Sequence, residues 1–120
     1  RLKWERKKRK VIGNRYNFLV DKIGISRVNQ IKNRTSVFSQ YTILTSRRNK
    51  IREKFNQNKI PTSIYYSKTI NSQTPYRRFC CATCTPNAIR ASRQVLSLPM
   101  SPFLKNSDQK LIINLLKKFS

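Results

Sequence analysis

The sequence has no histidine and only four carboxylates, Glu5, Asp21, Glu53 and Asp108. Ser-His-Asp triads, paired-carboxylate acid/base chemistry and carboxylate-held magnesium each lack parts. On that ground the chain is expected to be no enzyme, with no catalytic residues and no cofactor. Cysteine is scarce too. Cys80, Cys81 and Cys84 are odd in number and crowd five positions, which is no framework for stapling a small secreted fold, so reduced thiols are expected. Cys81-Ala82-Thr83-Cys84 supplies only two of the four ligands a structural zinc wants, and without histidine no metal site is expected. No apolar run approaches the roughly 18 residues that span a bilayer. The opening Arg1-Leu2-Lys3-Trp4-Glu5-Arg6 has no apolar stretch of secretory-signal length. The expectation is a soluble, non-secreted chain without a membrane partner.

What the chain has in excess is cations. Its 120 residues carry 27 Lys and Arg, for a formal net charge of +23. Leu, Ile, Val and Phe together exceed the fifth of the chain below which no core forms, so one small domain can pack some interior. Self-repulsion on this scale asks for a polyanion. Isoleucine and asparagine are heavily used against two glycines, a bias that resembles AT-rich organellar coding.

Apolar spacing predicts a helix from Leu2 to Ile23, with Val11/Ile12, Tyr16 and Leu19/Val20 on one face and the basic run Arg6, Lys7, Lys8, Arg9 and Lys10 near its start. Gly24 and Ser26 read as its stop and a fresh cap. Residues 26–44 are mixed. Thr45 or Ser46 caps a second helix in which Ile51 and Phe55 stand four apart among Arg47, Arg48, Lys50, Arg52 and Lys54. Lys59-Ile60-Pro61 closes it. Residues 62–79 read as an extended arm, with Tyr65, Tyr66, Tyr76 and Phe79 interleaved among Lys68, Arg77 and Arg78, the pairing of rings and cations that unstacked bases favour. Arg90–Leu98 is expected to be a short helix. Ser107 or Asp108 caps a last helix to Phe119, with an apolar stripe of Leu111, Ile112, Leu115, Leu116 and Phe119. The four stretches are therefore a basic helical region (1–58), an aromatic and basic arm (59–79), a cysteine loop with a short helix (80–104) and an amphipathic C-terminal helix (105–120). The expected class is mainly α: short helices joined by extended basic arms around a small core, ordered by RNA and neighbouring proteins.

The segment Arg77-Arg78-Phe79-Cys80-Cys81-Ala82-Thr83-Cys84-Thr85-Pro86-Asn87, followed by Ala91-Ser92-Arg93, resembles a motif of the universal small-subunit ribosomal protein fourteen family. In that family an Arg-rich, Cys- and Thr-containing loop precedes Leu-Ser-Arg. Lys59-Ile60-Pro61 is similar to the family's Lys-Leu-Pro, and Glu5–Arg9 with Tyr16 to its basic first helix. Cys84, Thr85 and Asn87 depart from the motif, and the second cysteine pair of some relatives is missing at Ser92 and Val95, so the chain resembles a zinc-free, mitochondrial-type member.

The resemblance implies a ribonucleoprotein component that serves translation in the mitochondrial matrix. It would bind ribosomal RNA in the head of the small subunit near the decoding region, beside neighbouring head proteins and with no small-molecule substrate. The RNA contacts would come from Arg6–Lys10, Arg47, Arg48, Lys50, Arg52, Lys54 and Lys59, then from Tyr65, Tyr66, Lys68, Tyr76, Arg77 and Arg78, and from Arg90 and Arg93 beside the cysteine loop. Two alternatives share the charge: another mitochondrial ribosomal protein, and an architectural protein that compacts DNA through nonspecific phosphate contacts.

Overall fold

A computed structural model describes all 120 residues. The elements run α1 (Leu2–Lys22), β1 (Ser26–Arg27), β2 (Tyr41–Leu44), α2 (Arg48–Gln57), α3 (Pro86–Gln94), β3 (Val95–Leu98) and α4 (Asn106–Phe119), with single 3-10 turns at Ile70–Ser72 and Arg77–Phe79. The strands form one antiparallel sheet in the order β1-β2-β3, in which Tyr41 faces Leu98 and Leu44 faces Val95.

This corrects the mainly α expectation. Val95-Leu96-Ser97-Leu98 reads locally as the end of a helix, yet it runs as a strand because its hydrogen-bonding partner, β2, lies far upstream in the sequence. Pairing of that kind leaves no short-range trace beyond alternation, and in β2 the alternation lasts four residues, with Tyr41 and Ile43 buried.

The core is also larger than the composition suggested. Fourteen buried apolar residues form one cluster, drawn from α1 (Ile12, Tyr16, Val20), the sheet (Tyr41, Ile43, Leu96, Leu98), α2 (Ile51, Phe55), α4 (Ile112, Ile113, Leu116) and the flanking Phe38 and Ile60. No nucleic acid is needed to supply an interior of this extent. Spacings of four along α1 and α2 put these side chains on one face, as periodicity requires. On α4 the buried stripe is rotated from the expected one: Ile113 is inside, while Leu111 is 54% exposed. α4 touches both α1 and α2, and α2 also packs on β3.

Helix ends obey local rules. Gly24, at φ 73°, ends α1 in the left-handed region while the Ile25 amide reaches back to the Val20 carbonyl. α2 ends in the same way on a non-glycine. Lys59 sits at φ 58°, and the Ile60 amide donates to the Phe55 carbonyl at 2.9 Å. Ahead of α2, Thr45 Oγ1 accepts from the Arg47 amide at 3.1 Å.

Candidate functional site

The stretch between α2 and β3 carries two of the chain's grooves. Its two ends are tied together, since Ser63 and Ser97 exchange backbone hydrogen bonds of 3.2 and 2.8 Å. Between them the chain leaves the core, passes Tyr65 and Tyr66, makes the turn Ile70–Ser72 and returns through α3. The expected extended arm is therefore a folded excursion. Ser72 Oγ donates to the Thr69 carbonyl at 2.8 Å. Asn71 Nδ2 donates to the Cys81 carbonyl at 2.8 Å and to Thr85 Oγ1 at 3.1 Å, which fixes the cysteine loop against the turn. Cys81 and Cys84 are joined as a disulfide across a Cα separation of 5.5 Å, and Cys80 is free and exposed. The expectation of three thiols is corrected on this point: counting parity overlooks a bridge that closes a loop on itself.

Two grooves adjoin here. The first, of about 830 Å³, lies between the 67–72 segment and α3, with Lys68, Arg90 and Arg93 among hydroxyl side chains. The second, of about 530 Å³, is more apolar and is lined by Tyr65, Tyr66, Ile70, Ala88, Ala91 and Val95. Lys68, Thr69 and Ser92 border both.

The other cations named from the sequence are dispersed. Arg6, Lys7 and Lys10 point to solvent from α1. Lys8 lies 5.9 Å from the Trp4 ring centre, and half-buried Arg9 donates to the Phe38 and Met100 carbonyls at 3.5 Å. Arg47 donates to the Ser120 carbonyl at 3.0 Å and Arg48 to the Ser92 carbonyl. Lys54 lies 6.0 Å over Phe119, whereas Lys50, Arg52 and Lys59 are exposed. Tyr76 is exposed, Arg77 donates to the Ser72 carbonyl at 3.2 Å, and Arg78 stacks 4.7 Å from the Phe79 ring centre. Several of these cations thus act within the chain itself. Lys68, Arg90 and Arg93 are the ones that share a groove.

Sequence reasoning missed the buried polar junctions. Gln109 is fully buried: its Nε2 donates to the Ile12 carbonyl at 3.0 Å, and its Oε1 accepts from Arg15 Nη1 at 2.9 Å. Tyr16 donates to the Pro99 carbonyl and Tyr41 to Asn17 Oδ1, each at 2.9 Å, and their rings stack 4.7 Å apart. Burial pushes both phenols above their ordinary range. Away from the core, the Arg27 guanidinium donates to the exposed Asp21 carboxylate at 2.8 and 2.9 Å and holds it below the usual carboxylate range.

Residues 1–117 match the model of the DegT/DnrJ/EryC1/StrS aminotransferase family. A "Pleiotropic regulatory protein" of Geobacillus stearothermophilus is 26% identical over 120 residues, 98% of this chain and 32% of that protein. The UDP-2-acetamido-2-deoxy-3-oxo-D-glucuronate aminotransferase of Pseudomonas aeruginosa is 27% identical over 104 residues, 87% of this chain and 28% of that one. Among solved structures, a DegT DnrJ EryC1 StrS aminotransferase from Brucella abortus superposes with a TM-score of 0.82 at 28% identity, over 96% of this chain and 31% of its own. The chain thus spans about a third of the length of these relatives.

These matches overturn the ribosomal reading and both of its alternatives, together with the ribosomal RNA and head-protein partners. They also overturn the expectation of a non-enzyme. The physical reason is plain in both cases. A charge of +23 is a property of the whole chain and names no partner. The resemblance at Arg77–Asn87 and Ala91–Arg93 rests on short, degenerate words, whereas the aminotransferase match runs through every element. Missing histidine and sparse carboxylates exclude chemistry only from this stretch, because an enzyme's reacting groups need not lie in each of its parts.

Proposed function

Because the chain belongs to the DegT/DnrJ/EryC1/StrS aminotransferase family, we propose that it forms one part of a sugar aminotransferase and contributes binding surface rather than reacting groups. The observation that carries this reading is the continuity of the match, residues 1–117 by family and 96% of the chain by fold. The Pseudomonas relative's name points to a nucleotide-linked keto sugar as the acceptor of nitrogen. The mixed lining of the two grooves, part cationic and part aromatic, suits the surface of such a molecule.

Amino transfer calls for pyridoxal phosphate, held by a lysine Schiff base with an acidic or basic partner for the ring nitrogen. The residues of this chain do not fit that group. Lys54, half-buried, lies against Phe119 rather than in a pocket, and Lys68, which borders both grooves, is an exposed side chain with no partner that would orient it. No carboxylate lines either groove. The reading therefore assigns cofactor and proton transfer to the remainder of the enzyme.

Purified protein carrying this chain in its complete form is the material for the test. Supplied with an amino-acid donor and nucleotide-linked keto sugars, it is expected to yield an amino sugar, detected by mass. A complete protein that binds no pyridoxal phosphate and makes no amino sugar overturns the reading.

A further inference from the structure

We propose that the Cys81–Cys84 bridge is a redox clasp on the walls of the two grooves, closed when oxidised and opened by a dithiol reductant. The bridge is no staple of the interior. It closes a ring through Ala82 and Thr83 alone, which restrains the unfolded chain little, and no residue from Cys80 to Asn87 belongs to the buried cluster. Every residue from Gln73 to Ala88 is exposed, both bridged cysteines included, so a dissolved thiol can reach the bond. What the bridge holds is groove wall. Ala82 and Thr83, inside the ring, line the first groove, and Cys80 and Thr85, on either side of it, line the second. The loop is tied to the facing turn by Asn71, whose Nδ2 donates to the Cys81 carbonyl at 2.8 Å and to Thr85 Oγ1 at 3.1 Å. One amide nitrogen reaches both acceptors because the bridge keeps the Cα atoms of Cys81 and Cys84 5.5 Å apart. An open stretch of the same length extends to about 10 Å, at which Asn71 can keep only one of the two.

Opening takes a dithiol as co-reactant. One of its thiolates attacks a bridge sulfur and expels the other as a thiolate, and its second thiolate then displaces the first from the mixed disulfide. The bridge gains two electrons and two protons, and the dithiol leaves as a disulfide. The surroundings favour the expelled thiolate. Cys84 stands just ahead of α3, whose first turn carries no acidic side chain, so the positive end of the helix lies beside it. Arg77, Arg78 and Arg90 flank the loop in sequence, and no carboxylate occurs between Glu53 and Asp108. The clasp rests on the loop itself and stands whatever reaction the complete protein catalyses.

Hydrogen exchange of the complete protein carrying this chain, read by mass in mixtures of oxidised and reduced dithiothreitol without denaturant, tests the clasp. Iodoacetamide labelling of the same samples reports the bridge, and Cys80, free and exposed, takes the label in both states as an internal standard. Reduction is expected to add label at Cys81 and Cys84 and to speed exchange across residues 69–85 about tenfold or more, while peptides of α1, α2 and α4 exchange as before. Cys81→Ser/Cys84→Ser should exchange at the fast rate with or without reductant. Asn71→Ala, which keeps the bridge, should loosen the loop already in the oxidised protein and so flatten the response. A bridge that yields only when urea unfolds the chain, label at Cys81 and Cys84 in oxidised dithiothreitol alone, or reduction that leaves exchange across 69–85 unchanged overturns the proposal.

Discussion

The ring of Phe38 rests directly on the backbone of Gly13, in the middle of α1. A methyl group placed on Gly13 would stand 2.6 Å from Phe38 Cδ2 and nearer still to two other ring atoms. Phe38 itself packs in the cluster, 6.4 Å from the ring centre of Tyr41. In the sequence, glycine at this position looks like a helix weakness of about 1 kcal/mol relative to alanine. The structure reverses that sign.

Gly13→Ala is therefore expected to destabilise the chain by about 1–3 kcal/mol, the usual cost of overpacking, despite the better helix former. Urea unfolding measures it. Adding Phe38→Ala should recover part of the loss, because the clash requires both side chains. Independent, additive effects of the two changes would show that the ring does not set the glycine.

Gln109→Leu keeps the volume but removes both hydrogen bonds of a fully buried amide, to the Ile12 carbonyl and from Arg15. Arg15 is left without its partner in a half-buried position. A loss of about 1–3 kcal/mol is expected from the unsatisfied groups, read as a lower unfolding midpoint. A neutral outcome would mean that water replaces the amide at no cost.

Tyr16 and Tyr41 predict an alkaline limit. Burial holds both phenols protonated in the folded chain above their ordinary value of 10.0. Below pH 10 both states carry the proton and the full stability is present. Above it the unfolded chain releases protons that the folded chain retains, so stability falls as pH rises further. Tyr16→Phe should flatten this alkaline loss while costing about 1 kcal/mol at neutral pH for the bond to the Pro99 carbonyl. An equally steep alkaline decline in the variant would place the effect elsewhere.

Lys59 pays the steric penalty of a left-handed residue at φ 58° where α2 stops. Its side chain is exposed and makes no hydrogen bond that glycine would lose. Lys59→Gly is expected to raise stability by about 0.5–1 kcal/mol, the strain relieved less the added freedom of the unfolded chain. Thermal unfolding of the pair reads the sign directly.

Helices were legible in the sequence wherever apolar residues recur every three or four positions. Ile12, Tyr16 and Val20, and again Ile51 and Phe55, announce their own buried faces. The sheet was not legible. Ser26–Arg27 is too short for any pattern, and Val95–Leu98 follows a helix so closely that its apolar residues look like more of the same. The site was half visible. Lys68, Arg90 and Arg93 stand out as cations, but only the fold shows that they line one groove, and charge alone assigned them to the wrong partner. Gln109 gave no signal at all, since an amide on a polar-looking helix start is ordinary until a neighbouring helix covers it.

The bridge between Ser63 and Ser97 bears on how this surface can evolve. It pins the two ends of the excursion to each other, and no residue from Pro61 to Val95 is buried in the core cluster. Lengthening a loop with fixed ends costs entropy only logarithmically, roughly 0.6 kcal/mol for each doubling. Insertions, deletions and wholesale replacement from Tyr65 to Asn87 thus leave the fourteen residues of the packed cluster untouched. One scaffold can be refitted to different ligands by trading this cassette, with the core inherited unchanged.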